Sequence, residues 1–154
     1  MNSFIRAVLI AASIAGILDL TSAYIDVYIR TGKFASNMFQ YIAGGLLGLN
    51  TSMKGGSEVQ MLGLFIHFFL AFTYTLIFFV AHPRLQLGKY NKYVIGFVYG
   101  FLVGMFMTFV ILPMTRLPHH PLDWAWALKG WLILAFMLGI PVAYRANKYY
   151  SGIQ

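Results

Sequence analysis

Four long apolar runs constrain this chain more than any other feature. They cover roughly residues 4–29, 59–81, 93–112 and 124–144. An α-helix needs about 20 apolar residues to cross a hydrocarbon core of roughly 30 Å, and each run meets that length. The first, at roughly 39 Å, exceeds it and must tilt or protrude. Composition agrees. Hydrophobic residues make up 60% of the chain and charged residues only 10%, against roughly 45–50% and 25% in soluble domains. Too few charges exist to cover a water-facing surface.

The net charge of +7 does not point to nucleic acid. The basic residues flank the apolar runs, where they set orientation and meet anionic headgroups. No basic helix or aromatic platform lies outside the runs. There is no cysteine, which excludes disulfides, thiolate metal sites and cysteine nucleophiles. Motifs for a metalloprotease, a nucleophile elbow, a P-loop or a dinucleotide fold are also missing. The sequence therefore calls for no cofactor and leans away from an enzyme. "MNSFIR" leads straight into a long run holding Asp19, so the first run reads as a retained span rather than a cleaved signal.

Between the first two runs lies "FASNMFQYIAGGLLGLN". Its apolar part is short, and Asn37 and Gln40 interrupt it. It reads as a short interfacial or re-entrant helix over residues 34–49. "TSMKGGSE" and "HPRLQLGKYNK" read as loops, Pro113 as the stop of the third run, and residues after Tyr144 as a short basic tail. With four spans, Arg6, Arg84, Lys89, Lys92, Arg145 and Lys148 share one side. Arg30, Lys33, Lys54 and Arg116 share the other. That bias places both termini in the cytoplasm. A spanning segment at 34–50 would reverse it. No internal repeat is evident.

Two carboxylates interrupt the first run. Asp19 and Asp26 are seven residues apart, close to two helical turns, so they share one face with Ala15, Gly16, Ser22 and Ala23. That small, polar face should point into the bundle. Asp26 has a local partner in Arg30 at i+4. Asp19 has only Ser22 within reach along its own helix. It lies roughly 15 Å from the helix end and needs a partner elsewhere. His67 is eight residues into the second run, roughly 12 Å deep from the same surface, and Lys129 lies roughly 8 Å deep. Gln40, Arg116, His119 and His120 belong to that side too. The polar residues thus gather in one half of the membrane and describe a cavity open to one side, not a pore.

Each of these residues also has a plainer reading. His67 would be a buried structural histidine, and Lys129 would snorkel to the interface. His119 and His120 would be solvated, or with Asp26 or Asp123 would form a weak metal site. In the third run Gly96, Gly100 and Gly104 form two overlapping GxxxG motifs, a groove for a close helix. The groove serves either the chain's own bundle or a homodimer.

Gly16 with Asp19, "QYIAGGLLG", Gly55-Gly56, "LGLFIHF", Tyr99-Gly100, Met107 with Pro113, and "GIPVAYR" occur in an order that covers most of the chain. In that order the chain resembles the YagU-like set of small bacterial inner-membrane proteins, domains of unknown function. The resemblance implies a multi-pass inner-membrane protein and a recurring role for Asp19, Gln40 and His67. It supplies no chemistry. Thr108 stands where the set carries an Asn after the Met of the third run.

The expected fold is all-α, a bundle of four transmembrane helices plus the short helix. The lipid bilayer is its expected partner, with a second copy of the chain as a further one and the ligand unidentified. Two functions fit. One is small-solute or ion/proton-linked transport, with Asp19 and His67 in the cavity alongside Gln40, Asp26 and Lys129. The other is a structural or accessory membrane protein in which Asp19 and His67 are a packing pair.

Overall fold

The computed structural model describes residues 3–118 and 121–152. Four helices are long and apolar enough to cross a membrane: Ser3–Thr31, Ser57–Arg84, Lys92–Met114 and Trp124–Ser151. They are named here the first to fourth spans. A short helix, Met38–Leu47, follows the first span, and a single turn, Leu49–Ser52, follows that. Among the described residues there is no strand.

Helix ends follow local chemistry. The first span stops at Gly32, whose φ of +67° suits a residue without a Cβ. Its N–H closes on Tyr28 O at 2.8 Å. Gly48 ends the short helix in the same way, with φ +81° and its N–H on Gly44 O at 2.8 Å. Ten residues at 1.5 Å each give the short helix about 15 Å, too little to cross. It lies against the second span, where a Cβ on Gly63 would sit 1.9 Å from Phe39 O. Gly63 is about 9 Å along that span, so the short helix dips in beside it. The fourth span starts at Asp123, whose carboxylate accepts from the N–H groups of Ala125 and Trp126 at 3.0 and 3.2 Å.

Three boundaries differ from the sequence reading, all at prolines. The second span does not end at Ala81 but runs through His82 and Pro83 to Arg84. Pro83 has no N–H for Phe79 O one turn back. Tyr150 Oη donates to that carbonyl instead, at 2.7 Å. The third span does not stop at Pro113 but reaches Met114. The fourth passes Pro141 and includes the stretch read as a tail, to Ser151. In both, a π-helical turn precedes the proline, over Met107–Ile111 and Ala135–Gly139. The N–H groups of Leu112 and Ile140 reach five residues back, to Met107 O and Ala135 O. The extra residue widens the turn and eases the clash between proline ring and carbonyl. Smaller differences are that the short helix starts at Met38 rather than at residue 34, and that Thr51 and Ser52, read as loop, join the single helical turn.

Neighbouring spans run antiparallel. Phe4 meets Phe79, and Gly16 meets Phe68 and Ala71. Between third and fourth spans, Gly96 meets Gly139 and Ala143, Gly100 meets Ala135, and Gly104 meets Trp131. The GxxxG groove is thus filled by the chain's own fourth span. A Cβ on Gly139 would lie 2.0 Å from Gly96 O, so main chain packs on main chain. The closed core lies toward Arg84 and contains Val8, Ala11, Ala15, Phe78, Phe79 and Val142, all almost fully buried.

Candidate functional site

The opposite half of the bundle is hollow. A cavity of about 720 Å³ is lined by all four spans and by the short helix. It exists because the first and fourth spans, in contact through the closed half, diverge toward Arg30 and Trp126. Its walls are mostly aliphatic, methionine and aromatic side chains, Leu70, Met107, Tyr74 and Leu138 among them. The expectation of a polar cavity needs that correction. Polar groups occur at two levels only.

The deep level holds Asp19 and His67, which line the same cavity. They do not hydrogen-bond to each other. His67 Nε2 lies 2.9 Å from Gly16 O. A carbonyl only accepts, so Nε2 carries a hydrogen and the free nitrogen is Nδ1. Ser22 does not serve Asp19's carboxylate either, because its hydroxyl donates to the main-chain carbonyl of Asp19 at 2.7 Å. Among the described residues, nothing hydrogen-bonds the Asp19 carboxylate. It is half-buried and faces the cavity.

The upper level is a cluster around Asp26. Arg30 Nε donates to Asp26 Oδ2 at 3.2 Å, the i+4 pair expected from the sequence. Lys129 Nζ donates to Asp26 Oδ1. Lys129 is thus not merely a snorkelling residue. It ties the fourth span to the first where the two diverge. Arg30 also lies over the Trp126 ring, 5.1 Å from its centre. Trp126 and Lys129 sit three apart on one helix face, and Asp26 and Arg30 four apart on the other, so two helices exchange two contacts. Asp26 is 14% exposed and Lys129 51%, so the cluster stands at the mouth.

Gln40 falls outside this site. It is buried beside the second span's approach, its Nε2 donating to Gly55 O at 2.8 Å, and it is not part of the cavity lining. Asn37, Met38, Tyr41 and Ile42 of the same segment are. Its Oε1 is buried with no hydrogen-bond partner among the described residues. His119 and His120 lie outside the described residues. The carboxylates considered with them have other partners: Asp123 caps the fourth span and Asp26 holds two cations. No group of three or more potential metal ligands occurs among the described residues. Thr108 is an internal link. It donates to Gly104 O at 3.0 Å and accepts from Trp131 Nε1 at 2.9 Å.

Two contributors were missed by sequence reasoning. Trp126 is one of three tryptophans near the start of the fourth span, and nothing in its spacing singled it out. Tyr74, whose hydroxyl donates to Met107 Sδ at 3.0 Å, helps wall the deep level. A tyrosine in mid-span was the available signal. No family model matches the chain, and no curated protein or solved structure matches it.

Proposed function

We propose that this multi-pass membrane protein carries out small-solute or proton-linked transport through the one-sided cavity, with Asp19 and His67 as its working pair. One observation carries the reading. Asp19, deep in a membrane-spanning helix, faces a cavity with no hydrogen bond from any described residue. A carboxylate in that position is costly unless it binds a proton, a cation or a ligand. His67 adds a second exchangeable site at Nδ1, beside it in the same space. The closed half below would act as the barrier in this state. The bias of basic residues supports termini in the cytoplasm, and a bacterial inner membrane as the site of action rests on the likeness to the YagU-like set. The likeness to the YagU-like set adds no chemistry to this reading.

Proton uptake into vesicles tests it. Purified protein is reconstituted around a pH dye, and uptake is driven by a potassium diffusion potential. The wild type should acidify the lumen. Asp19→Asn and His67→Ala should fall to the level of empty vesicles. Wild-type rates in both variants, or no uptake by the wild type, would overturn the proton-linked reading. A second reading, a structural pair, is favoured by the His67 Nε2 contact with Gly16 O, which joins the first two spans. It predicts that both substitutions lower thermal stability in detergent, whatever they do to uptake.

A further inference from the structure

The polar groups of the cavity divide by hydrogen-bonding sense. At the mouth the Asp26 carboxylate is already engaged by Arg30 and Lys129, so the uncommitted groups there are donors: the remaining N–H groups of Arg30 and Lys129 and the amide N–H of Asn37. The deep level offers acceptors instead. Asp19 presents an unengaged carboxylate. His67 has its Nε2 hydrogen on Gly16 O, which leaves Nδ1, an acceptor in the neutral ring. The Tyr74 hydroxyl hydrogen is directed to Met107 Sδ. Around these acceptors the walls are apolar, with Leu70, Met107, Leu134 and Leu138 in the lining. A molecule that fills this space must bring its own N–H donors to the deep end and an apolar body to the walls.

We infer that the cavity binds an apolar-bodied organic ammonium, its N–H groups directed to Asp19 and His67 Nδ1 and its hydrophobic part along the spans. This rests on the reading of Asp19 and His67 as the working pair and names the chemical class they receive. The volume of about 720 Å³ lies in the range of roughly 300–1,000 Å³ for small-molecule sites. Charge at the mouth does not oppose it. Asp26 offsets one of the two cations there. The remaining charge faces water, where salt screens it within about 10 Å. Asp19 acts across an apolar interior, where screening is weak.

Three ligands of one shape separate the alternatives: naphthylmethylammonium, naphthylmethanol and naphthoate. Their binding to the full chain in detergent is measured by calorimetry near neutral pH. The ammonium should bind about 10- to 100-fold more tightly than the alcohol, the range expected for hydrogen bonds to a charged group. Naphthoate should bind most weakly. Asp19→Asn should abolish the preference for the ammonium. If that variant does not fold, the ranking on the wild type decides alone. No measurable ammonium binding, equal or tighter binding of the alcohol or naphthoate, or an unchanged preference in Asp19→Asn would overturn the inference. Because no gradient is present, the result is independent of flux. Uptake without ammonium selectivity would sink the ligand class and leave transport standing. Selectivity without uptake would do the reverse.

Discussion

The two halves of this bundle are built from the same four helices, yet they solve the same problem differently. Toward Arg84 the helices are drawn together by small residues. Gly96 and Gly100 meet Ala135, Gly139 and Ala143 at main-chain distance, and aromatic rings of Phe4, Phe79 and Tyr149 close the remaining gaps. Toward Arg30 the first and fourth spans part, and the gap is bridged by charge. Lys129 reaches Asp26, and Arg30 covers Trp126. In lipid, close packing must come from shape, because tails are as apolar as side chains. The difference teaches that the hollow is not a packing failure. It is the region from which the small-residue seam is withheld.

The chain contains no cysteine, so single cysteines can report on either half. Leu70→Cys, in the cavity lining, should react with a water-soluble maleimide. Ala11→Cys, fully buried in the closed half, should not. Equal labelling would erase the contrast. The next effect compares two glycines of one helix. Gly139→Ala should destabilise the protein by about 3 kcal/mol, the upper range for overpacking, because its Cβ would strike Gly96 O. Gly130→Ala, where a Cβ meets nothing within 4 Å, should instead stabilise by up to about 1 kcal/mol through helix propensity. Thermal melts in detergent read both, and equal changes would break the comparison. A finer test lies at Pro83. Tyr150→Phe removes the donor to Phe79 O and should cost about 1–2 kcal/mol. In a Pro83→Ala background the restored main-chain N–H should reduce that loss. An undiminished loss would show that the hydroxyl serves something else.

Much of this arrangement was legible in the sequence. Span number and the failure of residues 34–49 to cross followed from length. The shared level of Asp19 and His67 followed from counting residues inward from one surface. Asp26 with Arg30 followed from i+4 spacing. Depth alone does not give rotation about a helix axis, so the same count that placed Lys129 near this level did not reveal Asp26 as its partner. Gln40 was assigned to the cavity by its side of the membrane, but the path of a short helix between two glycines is set by tertiary contacts such as Phe39 on Gly63. Pro113 and Pro141 carry the usual signal of a helix stop. The π-helical turns that absorb them depend on the neighbouring span. One signal was readable and unused: Ala135, Gly139 and Ala143 repeat every four residues, matching Gly96 and Gly100.

His67 holds the main chain of the first span through one ring nitrogen and leaves the other toward the hollow. A ring held in that way is a terminus rather than a relay. Whatever proton reaches Nδ1 must leave by the route it came, because the far nitrogen is occupied by a carbonyl that cannot give a proton back. On the transport reading, a proton can cross this ring only if Nε2 leaves Gly16 O, beside which Phe68 and Ala71 pack.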